Sequence, residues 1–300
     1  EDKYLDRRIR SNFFLAKIFF DLKTRKEKNM TQLISPTKFT KTVGLLRSFF
    51  LEKGFKEVHT QNRLSILAAC EDPFNVATYN YAGEVWPLPQ TGQMWLEHEL
   101  LSKPDEKGFF CVSTSYRQEP NAIPGRHDII FPMFEFEMPG DIDDLKKMEY
   151  ELCEYLEFDK PTERTYKEWQ EHFKIDGELE ASHEESMFNN FGSCMITDFP
   201  EFTSPFWNMS RYEDGIHSKK IDVILGGMET IGSAERSTNK EQMRDTFHTI
   251  TNGEYSELLY KLFTKERVEA ELEKFLEFDF FPRVGGGIGM TRMIAALDKK

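Results

Sequence analysis

Between Tyr116 and Glu137 the chain gathers Arg117, Glu119, Arg126, His127, Phe131, Glu135 and Glu137, a mixture of cations, carboxylates and an aromatic suited to a nucleotide. Charged side chains on strands this apolar are costly to bury without partners, so the pattern points to a charged ligand that completes them. Farther along, Asp222, Glu229 and Arg236 follow one another at intervals of seven residues, and Arg292 comes directly after the run Gly285-Gly286-Gly287-Ile288-Gly289-Met290-Thr291. No pair of histidines or cysteines accompanies them at metal-ligand spacing, so the chemistry on offer is that of arginines and carboxylates.

Elements to position these groups are readable around them. Phe109 to Ser115 and Ile129 to Met138 are rich in β-formers and predict two antiparallel strands joined by the polar loop that holds Arg126 and His127. Ser35 followed by Pro36 predicts a helix start, with Phe39, Val43, Leu46 and Phe50 as its apolar stripe and Gly54 as its stop. From Asp141 a second helix carries Ile142, Leu145, Met148, Leu152 and Leu156 on one face, and Thr264 to Phe275 predicts a third. The pattern predicts an α+β fold, an antiparallel β-sheet flanked by helices.

With 300 residues, 39% hydrophobic and 14% aromatic, the chain can bury a substantial core. No run reaches the roughly 18 to 20 apolar residues of a membrane helix and no signal peptide is evident, so no membrane association and a cytoplasmic location are expected. Cys70, Cys111, Cys153 and Cys194 lie far apart and read as small buried hydrophobes. A net charge of −13 argues against broad nonspecific nucleic-acid binding and leaves room for a local basic face. Residues 1–29, with basic clusters around an apolar stretch, read as a tail or peripheral helix, and residues 30–300 as a single domain.

The segment from Tyr116 to Glu137 resembles motif 2 of the class II aminoacyl-tRNA synthetases, and Gly285 to Leu297 resembles motif 3, a glycine-rich strand feeding a helix that carries one arginine. The spacing of Asp222, Glu229 and Arg236 is similar to that of the aspartate, asparagine and lysine subgroup. Gly54 to Thr60 matches motif 1, although Gln61 stands where the family has proline. The resemblance implies a synthetase-like catalytic domain without an anticodon-binding domain, working as a homodimer on an amino acid, ATP and Mg²⁺.

Carried over residue by residue, the resemblance has Arg117 grip the α-phosphate and the substrate carboxylate, and Glu119 accept from the adenine amino group. Phe131 stacks under the base and Arg292 covers its other face and reaches the γ-phosphate. Arg126 and His127 fold over the outer phosphates. Asp222 and Glu229 hold Mg²⁺, and Arg236 reads the amino-acid side chain. Arg117 and Arg292 are thus the expected catalytic residues.

The run Gln90-Thr91-Gly92-Gln93-Met94-Trp95-Leu96-Glu97 resembles that of asparaginyl-tRNA synthetases, whereas aspartate-handling relatives carry lysine at the position of Leu96. An amide could donate to Glu97 and accept from Arg236, while Thr91, Gln93 and Glu135 hold the α-ammonium group; a side-chain carboxylate would be repelled by Glu97. The expectation is therefore an asparaginyl-tRNA synthetase-like ligase that contacts at most the acceptor end of tRNA. The alternatives are a free-standing asparagine synthetase that activates aspartate for attack by ammonia, and a non-catalytic regulatory paralogue.

Overall fold

The computed structural model describes residues 33–60, 64–67, 73–118 and 128–300. The tail 1–29, Gln61, Cys70 and three of the expected site residues, Glu119, Arg126 and His127, lie outside the described residues.

Helix α1 (Pro36–Glu52) starts at the predicted place, with Pro36 opening its first turn. Ser35 occupies the N-cap, but its hydroxyl makes no capping bond, so the start rests on the fixed φ of proline rather than on a side-chain cap. Val43, Leu46 and Phe50 of the predicted stripe are buried, joined by Phe49. Gly54 ends the turn at φ +84°, a left-handed conformation glycine adopts without strain. Strand β1 (Lys56–Glu57) follows, then a 3₁₀ turn at Pro73–Asn75 and a small hairpin of β2 (Thr78–Tyr81) and β3 (Glu84–Pro87).

Helix α2 (Gln93–Ser102) leads into the expected strand pair, β4 (Phe109–Tyr116) and β5 (Ile130–Pro139). Helix α3 (Ile142–Tyr155) begins with a capping box in which Asp141 and Asp144 exchange bonds with each other's backbone. Strand β6 (Thr162–Thr165), helices α4 (Tyr166–Phe173) and α5 (Ala181–Phe191), and strands β7 (Cys194–Pro200), β8 (His217–Leu225) and β9 (Met228–Arg236) come next. Helices α6 (Lys240–Thr249), α7 (Glu254–Phe263) and α8 (Lys265–Leu276) precede β10 (Arg283–Gly289) and α9 (Met290–Asp298). Thr264 caps α8 through its hydroxyl, one residue from the expected boundary.

Eight strands form one sheet in the order β1-β4-β5-β10-β9-β8-β7-β6, antiparallel except for the outer pairs β1-β4 and β6-β7. Residues of α1, α3 and α9 share one apolar core with residues of the central strands, including Phe134, Ile221, Ile231 and Ile288. A second core joins α6, α7 and α8 around Trp207, Phe247 and Phe275. Because side chains alternate along a strand, Ile231 enters the core and Ser233 bonds to Glu149 of α3, while Gly232, Ala234 and Arg236 face a cavity on the opposite side of the sheet.

Candidate active site

The cavity, about 220 Å³, lies over the middle of β5, β10 and β9. Of the residues expected in a site, Thr91, Gln93, Arg117, Glu135, Glu229 and Arg236 line it. Its floor is the bare backbone of Gly285, Gly286 and Gly287, and register explains why these three positions carry no side chains. Gly285 lies between Glu137 and Ala234, and Gly287 between Glu135 and Gly232. A Cβ on Gly285 would overlap the Glu137 carboxylate and come within 2.6 Å of the Phe136 carbonyl oxygen. On Gly286 it would stand 2.5 Å from the Ser233 Cβ.

At one side of the floor Glu135 is almost fully enclosed. The Thr91 hydroxyl donates to its Oε1, the Ser113 hydroxyl to its Oε2, and the Gly92 N–H approaches both oxygens, at 3.1 and 2.9 Å. Burial pushes this carboxyl above the ordinary glutamate range, and the donors from Ser113, Thr91 and Gly92 pull the other way. Thr91 also accepts from the Gln93 N–H at 3.0 Å, so the start of α2 and this carboxylate form one unit. A cationic amine reaching Glu135 would add the charge that its neutral donors do not supply.

Arg236 stands at another side, with Glu97 and Glu137 beside it. Glu97 does not line the cavity. Fully buried, it accepts from Arg283 Nη2 at 2.7 Å and Nε at 3.2 Å and from Asn208 Nδ2 at 2.8 Å, and lies 3.7 Å from Arg236 Nε. Its oxygens thus accept from Arg283 and Asn208, which ties α2 to β10 beneath the cavity. Leu96 packs with Leu100, Phe109 and Cys111 and is not among the residues lining the cavity. The nearer carboxylate is Glu137, which accepts from Arg236 Nε and Nη2 at 3.3 Å each and from the Gln93 amide.

Asp222 and Glu229 come together across the β8–β9 pair. Asp222 lies opposite Gly232, and a Cβ there would sit 2.9 Å from Glu229 Oε1 and 3.5 Å from Asp222 Oδ1. The two carboxylates therefore converge on a notch that only glycine leaves open. Asp222 Oδ1 is buried without a hydrogen-bond partner, and Oδ2 accepts from Lys220 Nζ at 2.9 Å. Burial drives the Asp222 carboxyl up to about 7; Lys220 opposes the rise and Glu229 adds to it. A hard cation suits such oxygens, and because no cluster of three or more metal-binding side chains occurs among the described residues, it would have to complete its shell from phosphate and water, as Mg²⁺ does.

Arg292, at the start of α9, donates Nη1–H to the Glu229 carbonyl at 2.8 Å and lies 3.6 Å from its carboxylate. Arg117 follows the last residue of β4, and its guanidinium stands over the Phe131 ring, 5.5 Å from the centroid. Phe131, Asp222 and Arg292 are outside the lining of the cavity itself.

Sequence reasoning missed Lys220, Arg283 and Asn208, and gave Glu137 no partner. Lys220 lines the cavity and bonds a carboxylate two residues away. Its signal was a lysine within a strand that turns apolar just after it. Glu137 and Arg283 carried a signal only as charges inside strands.

The family described as tRNA synthetases class II (D, K and N) matches residues 11–300. An aspartate–tRNA(Asp/Asn) ligase of Hydrogenobaculum sp. (strain Y04AAS1) is 26% identical over 250 residues, covering 78% of this chain and 40% of that protein, so the chain spans less than half the length of this relative. Two solved structures share the fold. Asparaginyl-tRNA synthetase of Pyrococcus horikoshii complexed with asparaginyl-adenylate superimposes with a TM-score of 0.72 at 18% identity, over 88% of this chain and 64% of that one. A putative aspartyl-tRNA synthetase of Leishmania major Friedlin gives 0.68 at 15%, over 87% and 61%.

Proposed function

Since the chain belongs to the class II tRNA synthetases of the aspartate, lysine and asparagine group, we propose that it joins an amino acid, asparagine, to the α-phosphate of ATP as an aminoacyl-adenylate and passes it to the acceptor end of tRNA. One observation carries the reading: a single cavity holds Glu135 with its hydroxyl donors, Arg236, Arg117 and Glu229 around a floor of bare backbone. Glu135, with Thr91 and Gln93 beside it, receives the α-ammonium group. Arg236 meets the side chain, and Arg117 brings the substrate carboxylate and the α-phosphate together. A new bond forms between a carboxylate oxygen and phosphorus as the bond to pyrophosphate breaks.

No nucleophilic side chain is needed, because positioning and charge stabilisation supply the rate. Mg²⁺ on Asp222 and Glu229 would screen the phosphates in this reaction. Phe131 and Arg292 are assigned to the adenine and the γ-phosphate, with Glu119, Arg126 and His127 closing the ATP end. We further infer that residues 30–300 form the catalytic domain and that two copies pair along the β1 side of the sheet.

Support for asparagine comes from Arg236, whose charge is already met by Glu137. Aspartate is the second reading, favoured by the ligase of Hydrogenobaculum, and would suit either an aspartyl ligase or activation for attack by ammonia. Amino-acid-dependent ATP–pyrophosphate exchange with Mg²⁺ tests the proposal. Exchange with asparagine supports it, exchange with aspartate alone moves the assignment to the second reading, and exchange with no amino acid refutes activation.

A further inference from the structure

At the Arg236 side of the cavity lie two buried guanidinium groups and two buried carboxylates: Arg236, Arg283, Glu97 and Glu137. They form two pairs of unequal closeness. Arg283 and Glu97 meet at 2.7 Å, and Arg283 also donates to the Ser237 carbonyl at 3.1 Å. Arg236 and Glu137 meet only at 3.3 Å, and of the four side chains only Arg236 lines the cavity. We propose that Glu137 is a specificity-determining residue: by its own charge it sets whether Arg236 offers the cavity a neutral or a positive face, and so selects an amide over a carboxylate in the substrate side chain. The inference rests on the activation reading above.

The charge balance follows from the geometry. The closer pair neutralises itself. When Glu137 is ionised the second pair is neutral as well, and Arg236 serves an amide carbonyl as a hydrogen-bond donor; a substrate carboxylate would be a second anion competing with Glu137 for one cation in a low-dielectric site. When Glu137 holds a proton, the two guanidinium groups share the single charge of Glu97, the cluster keeps a net positive charge that only Arg236 presents to the cavity, and a carboxylate becomes the better partner. Charged and polar groups face Glu137 from three elements: Arg236 of β9, Arg283 of β10, and Gln93 and Glu97 of α2. Phe109 of β4, opposite it in the ladder, is uncharged. Burial lifts the Glu137 carboxyl to about 7, with Arg236 holding it down and Glu97 raising it, so both states are within reach of ordinary buffers.

The test is ATP–pyrophosphate exchange with asparagine and with aspartate from pH 6 to pH 8.5, read as the ratio of the two kcat/KM values in the wild type and in Glu137→Gln. Effects of pH on ATP and on the common α-amino group cancel in that ratio. In the wild type the ratio should fall about tenfold from pH 8 to pH 6. In Glu137→Gln it should stay low and flat, because the amide cannot ionise. A flat wild-type ratio overturns the inference and needs no variant to be folded; a variant that keeps the wild-type slope overturns it too. Exchange with neither amino acid refutes the activation reading and this inference with it, whereas exchange with a flat ratio removes the inference alone.

Discussion

Replacing Glu97 by alanine should damage the fold before it touches substrate choice. Glu97 and Arg283 are both fully buried, and the guanidinium of Arg283 has Glu97 as its ion-pair partner at 2.7 Å. Removing one member of a buried pair leaves the other as an uncompensated charge, which costs roughly 3 to 5 kcal/mol. Asn208 loses the acceptor of its 2.8 Å bond at the same time. An unsatisfied buried donor adds on the order of 1 kcal/mol or more. Removing both charges, as in Glu97→Met with Arg283→Met, should recover most of the loss, because apolar side chains of similar volume carry no such penalty. The assay is urea denaturation of the wild type, Glu97→Ala, Glu97→Met, Arg283→Met and the Met double variant without ligand, followed by tryptophan fluorescence and circular dichroism. The cycle should give a coupling of at least about 2 kcal/mol. If Glu97→Ala loses less than about 1 kcal/mol, Glu97 is not the structural counter-charge of Arg283 and the direct substrate contact inferred from sequence regains its place.

Arg117→Ala should lower ATP–pyrophosphate exchange by roughly a hundredfold or more while the unfolding midpoint stays within experimental error, since an arginine that positions transferring groups acts on the reaction rather than on packing; retained activity would sink the motif assignment. Glu149, buried with Ser233 donating to one oxygen and its other oxygen unpartnered, has its carboxyl raised by burial to about 8. A carboxyl whose folded pKa exceeds its unfolded value contributes stability below the unfolded pKa and loses it as pH rises to the folded one, here from near 4.5 to about 8. At about 1.4 kcal/mol per pH unit the loss reaches at most roughly 4 to 5 kcal/mol, so Glu149→Gln should gain on the wild type steadily across that window, and parallel stability–pH curves would contradict it. Gly285→Ala should cost roughly 2 to 3 kcal/mol in denaturation experiments, because the new methyl meets the Phe136 carbonyl as well as Glu137 and a backbone atom in a paired strand cannot step aside; an unchanged midpoint would contradict the packing argument.

Much of the fold was legible because its elements announce themselves locally. The stripe of α1 and the Asp141 start of α3 follow helical spacing, and β4 and β5 are continuous runs of β-formers. Helix α2 was different. It buries Gln93 and Glu97 together with Met94, Leu96, Leu100 and Leu101, so polarity along it says nothing about which side faces inward. Glu97 therefore read as a group free to meet a ligand, and only Arg283, arriving 186 positions later, shows why it is inside. The spacing of Asp222, Glu229 and Arg236 was visible, but their distinct destinations depend on the register of β8 and β9 and on a glycine at 232. Arg283 was invisible for a simple reason: a single arginine before a glycine run looks like an ordinary surface charge.

The glycine floor bears on how this cavity could change its preferences. Each of its peptide groups sits in a strand paired on both sides, to β5 and to β9, and has no rotamer to adjust. The floor is a stretch of paired backbone with no side chain to exchange. Variation must come from the flanking columns, where Glu135 and Glu137 on one strand lie across the floor from Gly232 and Ala234 on the other. A larger side chain gained on one column extends over the same bare backbone that serves its opposite number. The two columns thus share one volume, and a change in the size of the substrate on this scaffold calls for paired replacements across β10.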